Sequence, residues 1–287
     1  MKQKVANAAW SLGVRSFRFA RSINLADKLQ PAFIRLASLL PATSTDTTAI
    51  LSNGSSLLMP AGYRDTRTVL TGLFQTDETR LLERLTEPGM IFVDAGAYAG
   101  YFTVLASTWV GDKGRVFAFE PDSLAYRFLA LNVERNACQN VTLINRAVTD
   151  RIGKMALVRD PVGPESFLTH EGHNKSASEV ATITLDSMFE SLDWPRVDII
   201  KMNIEGSELL ALEGMRELSR RNPQLRLVME FNPAAMRRAG VSRRELAKVL
   251  VGLGFRVGRI VERGLKMVPD RELVPAGNTV YNILLSK

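Results

Sequence analysis

The feature that most constrains this chain is the regular alternation of short apolar segments with amphipathic ones from residue 90 onward. Seven apolar segments have the length of buried strands: Met90–Asp94, Val116–Glu120, Val141–Val148, Val197–Met202, Leu225–Phe231, Phe255–Val261 and Thr279–Leu285. Helical patterns separate most of them, as in Gly100–Val110. Strands that alternate with helices form βαβ units, whose strands run parallel. The sequence therefore predicts an α/β fold with a doubly wound, mostly parallel seven-stranded sheet.

The composition is that of a folded domain. The chain has 287 residues, of which 46% are hydrophobic and 23% are charged, and this supplies enough apolar material for a sizeable core. A disordered tail, a collagen-like fibre and a small disulfide-stapled protein are excluded. The single cysteine, Cys138, cannot form an internal disulfide, which fits a reducing compartment. Because no apolar run is long enough to cross a bilayer, we expect a cytoplasmic protein.

Almost all of the net charge of +7 comes from the first 40 residues, which hold seven of the 37 basic side chains and one of the 30 acidic ones. Arg15, Arg18 and Arg21 share one face of a predicted helix. Three interpretations stay open: a helix lying peripherally on an anionic membrane, a targeting peptide, or a cap docked on the body. We predict a basic helical extension over residues 1–45 and the main domain over residues 46–287. The nearly neutral body argues against a nucleic-acid partner.

Shorter signals complete the organisation of the chain. Asn53-Gly54 between the apolar segments Ile50–Leu51 and Leu57–Met59 predicts a hairpin. The pattern of Thr76–Leu85 predicts a helix. Residues 151–181 break the alternation with glycine, proline and many polar residues. We predict an irregular loop here, placed to contact a substrate.

Ligands of doubly wound sheets bind beyond the carboxyl ends of the strands. The first strand is followed by Asp94-Ala95-Gly96-Ala97-Tyr98-Ala99-Gly100, in which Gly96 permits a tight turn and Gly100 lets a helix start close to the strand. This pattern differs from the Gly-x-Gly-x-x-Gly of dinucleotide folds. An acid such as Asp94 repels a pyrophosphate and suits a cationic ligand. S-adenosylmethionine fits, because it carries an ammonium group, a sulfonium and no phosphate.

A second acid ends the second strand, in Glu120-Pro121-Asp122. A carboxylate there accepts hydrogen bonds from both hydroxyls of a ribose. NAD enzymes use the same device, so Glu120 indicates an adenosine, and Asp94 selects the sulfonium cofactor. The alternative is structural: the glycines make a turn and the acids cap helices.

Five stretches resemble FkbM-type methyltransferases in order and spacing, across roughly residues 50–285. They are Phe92–Thr103, Val116–Asp122, Asn145–Asp150, the pair Thr184–Asp186 with Asp198–Glu208, and Met229–Pro233. The resemblance implies a Rossmann-like class I fold with an antiparallel last strand, S-adenosylmethionine as cofactor, and O-methylation of a hydroxyl on a sugar, polyketide or glycolipid.

The same resemblance implies cofactor-binding positions. It assigns Asp94, Gly96 and Glu120 to the cofactor and places Ala147 near the adenine. Two residues depart from the family pattern, since Tyr98 and Asn203 replace the usual Asn and Asp. The loss of a charge at position 203 argues against a carboxylate base or a metal ligand there. We include both in the predicted cofactor site, together with Gly100 and Pro121.

Methyl transfer to a hydroxyl benefits from a base that takes the proton. Candidates are Lys201 in the fourth predicted strand, Glu205 after it, and His170 and His173 in the irregular segment, with His173 preferred of the two. Each has a structural alternative. Glu205 can stabilise a helix N-terminus, Lys201 can form a buried salt bridge with Asp94, and the histidines can be solvated loop residues.

The predicted function is therefore S-adenosylmethionine-dependent O-methylation of a small or lipid-linked hydroxylated acceptor, without a metal. Two histidines three residues apart in a loop are a weak metal signature. The alternatives are N-methylation, a nucleotide-sugar enzyme using the same crevice, and a catalytically silent protein that binds the cofactor as a scaffold. The sequence does not indicate an oligomeric state.

Overall fold

The computed structural model describes residues 43–63, 65–159, 166–169, 177–261, 264–267 and 280–287. These described residues divide into two compact units, one from residue 43 to Thr76 and the other from Asp77 onward. The predicted extension over residues 1–45 lies almost wholly outside the described residues, so its boundary and its helix remain predictions. No helix in the described part of the chain is both long and apolar enough to span a membrane.

The first unit contains the predicted hairpin. Strands β1 (Thr47–Ile50) and β2 (Ser56–Met59) pair antiparallel, and Gly54 between them has φ +86°, which a glycine adopts without a steric penalty. Helix α1 (Thr66–Thr71) follows and ends at Gly72, also left-handed. The hairpin prediction is confirmed.

The second unit alternates strands and helices. Its elements are α2 (Thr76–Leu85), β3 (Ile91–Ala95), α3 (Tyr101–Val110), β4 (Arg115–Phe119), α4 (Ser123–Arg135), β5 (Val141–Ile144), β6 (Ala147–Val148), β7 (Gly153–Val158), β8 (Phe167–Thr169), β9 (Ala177–Ile183), α5 (Leu185–Glu190), β10 (Ile199–Met202), α6 (Glu208–Glu213), α7 (Arg216–Arg221), β11 (Arg226–Phe231), α8 (Pro233–Arg238), α9 (Arg243–Gly252), β12 (Arg256–Val261), β13 (Gly264–Met267) and β14 (Tyr281–Ser286). The predicted helix Thr76–Leu85 has the predicted bounds.

The main sheet has the order β13-β12-β14-β11-β10-β3-β4-β5. Strands β11, β10, β3, β4 and β5 run parallel to one another. Strand β14 is antiparallel to both β11 and β12. The doubly wound, mostly parallel sheet is confirmed. The predicted number of seven strands is wrong by one, because β13 pairs antiparallel with β12 and adds an eighth strand in the described residues.

A second sheet corrects two further predictions. Val141–Val148 is not one strand: β5 stays in the main sheet, whereas β6 pairs with β9. The segment 151–181 is not an irregular loop throughout, since β7 pairs antiparallel with both β8 and β9. The order of this small sheet is β6-β9-β7-β8.

Apolar side chains cover both faces of the main sheet. On β4, Phe117 and Phe119 belong to the large core cluster, whereas Ala118, pointing the other way, packs with Leu129 and Val133 of α4. Successive residues of a strand point to opposite faces, so β4 is buried on both. This is why its sequence reads as a continuous apolar run rather than an alternating one, and why its polar residues appear only where the strand ends.

Candidate active site

The loop after β3 is held against the turn after β10. Gly96 has φ +80°, and a Cβ atom placed on it would lie 1.9 Å from the carbonyl oxygen of Asn203. The amides of Gly96 and Ala97 both donate to the oxygen of Phe119 at 3.0 Å, and the Asn203 amide donates to Ala95 at 3.0 Å. The main chains at the ends of β3, β4 and β10 therefore pack against one another in one cradle, in which position 96 has no space for a side chain.

Asp94 lies beneath this loop and is 1% exposed. Its Oδ2 accepts a 2.6 Å hydrogen bond from Thr103 Oγ1, and its Oδ1 lies 3.3 Å from Lys201 Nζ. The positive charge of Lys201 offsets the negative charge on which the predicted attraction for a cationic ligand rests. The geometry shows Asp94 organising the loop from below, and its predicted contact with a cofactor stays a prediction.

Lys201 is the residue that ties this buried group together. Its Nζ donates to the Gly96 carbonyl at 3.0 Å and lies 5.2 Å from the centre of the Phe102 ring. The structure contains the salt bridge with Asp94 that sequence analysis named as the alternative for Lys201. The role of Lys201 as catalytic base stays a prediction.

Sequence analysis missed Glu78 on α2, which belongs to the same buried group. It is 3% exposed and accepts a 2.9 Å hydrogen bond from Asn282 Nδ2 on β14. Burial raises the pKa of Glu78 to about 7, and the charge of Lys201 opposes this rise. Glu78 and Asn282 are 204 residues apart, so no local pattern could have indicated the contact.

Glu120 ends β4, as predicted, and is 6% exposed. Its Oε2 accepts from the Tyr98 amide at 2.8 Å and its Oε1 from the Asp122 amide at 2.9 Å. Burial raises the pKa of Glu120 to about 7, although these two hydrogen bonds lower it. The backbone thus fixes the carboxylate beside the Gly96 loop, and Tyr98 takes part through its amide, with φ +49°.

The segment after β5 lies alongside Glu120. Asn145 Nδ2 donates to the carbonyls of Glu120 at 2.7 Å and Pro121 at 3.2 Å. Ala147 follows in β6, where it is 3% exposed, and its predicted place near the adenine stays a prediction. Sequence analysis quoted Asn145 as part of a motif without giving it this role.

Gly100 has a packing function. It precedes α3 with φ +92°, and a Cβ atom there would come within 2.8 Å of Leu129 Cδ1 on α4. The glycine therefore lets α3 begin close to α4, and its predicted contact with the cofactor stays a prediction.

The turn after β10 carries Asn203 and Glu205, and Glu208 is the first residue of α6. Asn203 Oδ1 is buried and has no hydrogen-bond partner within the described part of the chain. The carboxylate of Glu208 accepts from the amides of Ile204 at 3.2 Å and Gly206 at 2.9 Å, and burial raises its pKa to about 7. Glu205, between those amides, has φ +54°, an uncommon conformation for a residue with a side chain.

Side chains from α8 and its N-terminal cap approach Glu205. Asn232 Nδ2 lies 3.5 Å from Glu205 Oε2, and Arg238 Nη2 lies 4.0 Å from the same oxygen. Asn232 also caps α8 through Oδ1, which accepts from the amides of Ala234 and Ala235. The predicted base therefore stands among polar groups, and it does not cap the helix that follows it.

His170 and His173 lie outside the described residues, so the prediction that His173 acts as a base stays untested. Among the residues that the structure does describe, no group of three or more His, Cys, Asp or Glu side chains is arranged to hold a metal ion. Independence of a metal remains a prediction.

Comparison with known proteins identifies the domain. The family model described as the methyltransferase FkbM domain matches residues 94–257. The chain belongs to the FkbM methyltransferase family. Membership confirms the predicted family and class I fold, and with them a domain of the S-adenosylmethionine-dependent methyltransferases.

Individual relatives of this FkbM domain are distant. The hexuronic acid methyltransferase AglP of Haloferax volcanii is 28% identical over 141 residues, which are 49% of this chain and 56% of AglP. The structure titled methyltransferase FkbM from Methylobacillus flagellatus KT is 17% identical, with TM-score 0.45 over 77% of this chain and 54% of that one. A SAM-dependent methyltransferase from Aquifex aeolicus is 20% identical, with TM-score 0.40 over 73% of this chain and 87% of that one.

The residues of the cradle fit S-adenosylmethionine. Gly96 lets the loop after β3 pack directly on the Asn203 carbonyl, and the Glu120 carboxylate beside this loop could accept hydrogen bonds from the hydroxyls of a ribose. The buried Asn203 Oδ1, which the described residues leave without a donor, matches the ammonium end of the cofactor.

Proposed function

We propose that this FkbM domain transfers a methyl group from S-adenosylmethionine to a hydroxyl of a sugar-type acceptor. The observation that carries the proposal is the carboxylate of Glu120, fixed by two backbone amides beside a loop in which position 96 has no room for a side chain. That combination suits an adenosine and its ribose. The acceptor class is supported by the similarity to AglP, a hexuronic acid methyltransferase.

When bound, S-adenosylmethionine supplies a methyl group on a positively charged sulfur. The chain has to hold the acceptor oxygen in line with that methyl and take the proton from the hydroxyl as the new C–O bond forms. Glu205 suits the second task, because its carboxylate is 15% exposed and is anchored by Asn232. The proton moves from the hydroxyl to a Glu205 oxygen, and S-adenosylhomocysteine leaves.

A labelled-methyl assay tests this function. The full chain is incubated with labelled S-adenosylmethionine and a panel of glycosides, and the products are identified by mass spectrometry. We expect a gain of one methyl on a hydroxyl oxygen. Cofactor binding by calorimetry without transfer to any acceptor would instead favour the silent scaffold, and a methylated amine would favour N-methylation.

Variants at position 205 separate the base from the fold. Glu205→Gln keeps the shape of the side chain and its contact with Asn232 but cannot accept a proton as a carboxylate does. General bases typically contribute about 10²–10⁴-fold, and we expect a loss of kcat in that range with unchanged S-adenosylhomocysteine affinity. Unchanged kcat would remove Glu205 from the proposed mechanism.

A further inference from the structure

Arg159, the residue after β7, joins the small sheet to the turn that follows β4. Its Nε donates to Asp122 Oδ2, and its Nη2 donates to Asp122 Oδ1 at 3.0 Å. Two hydrogen bonds from one guanidinium to one carboxylate fix the orientation of the pair as well as its distance. The side chain of Arg159 is 45% exposed and that of Asp122 is 8% exposed, so a solvated cation holds a buried anion.

Asp122 is fixed from its other side by helix α4. Its Oδ1 accepts hydrogen bonds from the amides of Leu124 at 2.8 Å and Ala125 at 3.1 Å. These amides belong to the first turn, where the helix itself supplies no acceptor. Both oxygens of Asp122 are therefore engaged by donors, which stabilise the side chain as an anion.

Asp122 acts on Glu120, the proposed ribose acceptor, in two opposite ways. The Asp122 amide donates to Glu120 Oε1 at 2.9 Å, which favours the charged carboxylate. The negative charge of the Asp122 side chain disfavours it, because like charges at short range oppose each other. Burial is the main cause that raises the pKa of Glu120 to about 7; the charge of Asp122 adds to this rise, and the charge of Lys201 opposes it.

Arg159 weakens the unfavourable one of these two effects. A cation bound to the Asp122 carboxylate reduces the field that this carboxylate exerts on Glu120, and it leaves the Asp122 amide in its place. The charged form of Glu120 is the stronger acceptor for hydroxyl groups. The pairing at the end of β7 therefore favours the form of Glu120 that suits a ribose.

We propose that Arg159 is a positioning residue of the cofactor site: it pairs with Asp122, offsets the charge that Asp122 places beside Glu120, and so keeps the Glu120 carboxylate ready to accept the ribose hydroxyls. The proposal rests on the ribose contact proposed above for Glu120. It makes the small sheet, through the residue that follows β7, a part of the cofactor site.

Calorimetry of the full chain with S-adenosylhomocysteine, from about pH 5 to 9, tests the proposal, because this ligand carries the adenosine and needs no acceptor. In Arg159→Gln, the pH below which affinity falls should move up by roughly half a unit to one unit. Affinity at pH 7 should then drop by roughly 2- to 5-fold, whereas at about pH 9 the variant and the wild type should bind alike. Arg159→Lys keeps the charge and should stay close to the wild type.

Two further variants separate charge from shape. Asp122→Asn removes the second negative charge and keeps an oxygen for the helix cap, so its pH dependence should move down. Arg151→Gln is the matched control, since Arg151 precedes the same strand β7 and pairs with Asp150 at 3.3 Å, and it should leave the profile unchanged. Thermal unfolding confirms that each variant is folded.

The outcomes separate this proposal from the function on which it rests. A loss of affinity in Arg159→Gln that is the same at every pH would mean that the pair is only structural, and it would overturn the proposal. A profile of Asp122→Asn that matches the wild type would overturn it as well, even if Arg159→Gln does not fold. If Glu120→Gln keeps the wild-type profile, the ribose contact is wrong and the proposal falls with it, while methyl transfer in the labelled assay still stands. The expected shift in Arg159→Gln, with no methyl transferred to any acceptor, would keep the proposal and refute the function.

Discussion

Replacing Gly96 with alanine tests whether the loop after β3 and the turn after β10 form one cradle. The new Cβ atom would stand 1.9 Å from the Asn203 carbonyl oxygen and 3.1 Å from Ile204 Cγ2. The obstacle at 1.9 Å is backbone, and its strand pairs with β3 in register. It cannot rotate away as a side chain would, so the two main chains have to separate.

The expected cost has two parts. An alanine at φ +80° costs about 1–2 kcal/mol relative to glycine, because its Cβ crowds the carbonyl. Forcing an extra carbon into a packed site typically costs about 1–3 kcal/mol more. Gly96→Ala should therefore lower the free energy of unfolding by roughly 2–5 kcal/mol.

Gly254→Ala is the matched control. Gly254 has the same φ of +80°, and a Cβ atom there would meet nothing within 4 Å. Gly254→Ala should therefore lose only the free energy that an alanine costs at this φ, about 1–2 kcal/mol. Urea denaturation measures both variants, and calorimetry with S-adenosylhomocysteine should show weaker binding only for Gly96→Ala. Equal destabilisation of the two variants would refute the contact between the loop and the turn.

Three further predictions concern charge. The pKa of Glu120 is raised to about 7, and the ribose needs the carboxylate as acceptor, so cofactor affinity measured by calorimetry should fall as pH drops below 7, by up to about tenfold per pH unit. In Glu120→Gln the affinity should be weaker and should not change with pH. A wild-type affinity that does not change with pH would contradict this prediction. Asp94→Asn and Lys201→Met should each lower the free energy of unfolding by about 3–5 kcal/mol, since each leaves its buried partner without a counter-charge. The double variant should lose clearly less than the sum of the two losses. Additive losses in urea denaturation would show that the pair is not coupled. Removing residues 1–40 should abolish flotation with anionic liposomes at low salt, because that segment holds seven basic residues and one acidic residue, whereas equal flotation of both forms would favour the docked cap.

The sequence predicted most of the main sheet because its strands are buried on both faces. Apolar runs such as Ile91–Val93 of β3 and Val116–Phe119 of β4 mark central parallel strands, and Asp94 and Glu120 mark the ends of these runs. The small sheet was missed for the opposite reason. β9 exposes Ser178, Glu179 and Ala181 and contains no continuous apolar run, so its pairing with β7 depends on tertiary context.

The candidate site was predicted in part. Its glycine loop and Glu120 follow from position along the chain. The salt bridge between Asp94 and Lys201 was predicted only as one alternative, because it depends on the register that places the two residues side by side on β3 and β10, and a register between strands so far apart in sequence cannot be read locally. Thr103, in the first turn of α3, completes the group by donating a hydrogen bond to Asp94.

The absence of a side chain at position 96 has a consequence for how this enzyme family can diversify. The Asn203 carbonyl of the turn after β10 occupies the space that a side chain at position 96 would need, so an insertion in that turn would displace the loop after β3 as well. Substitutions that change acceptor preference are then tolerated best at positions away from the contact between this loop and this turn. Phe167 and the strands around it meet this condition, and we expect homologues with other acceptors to vary there first.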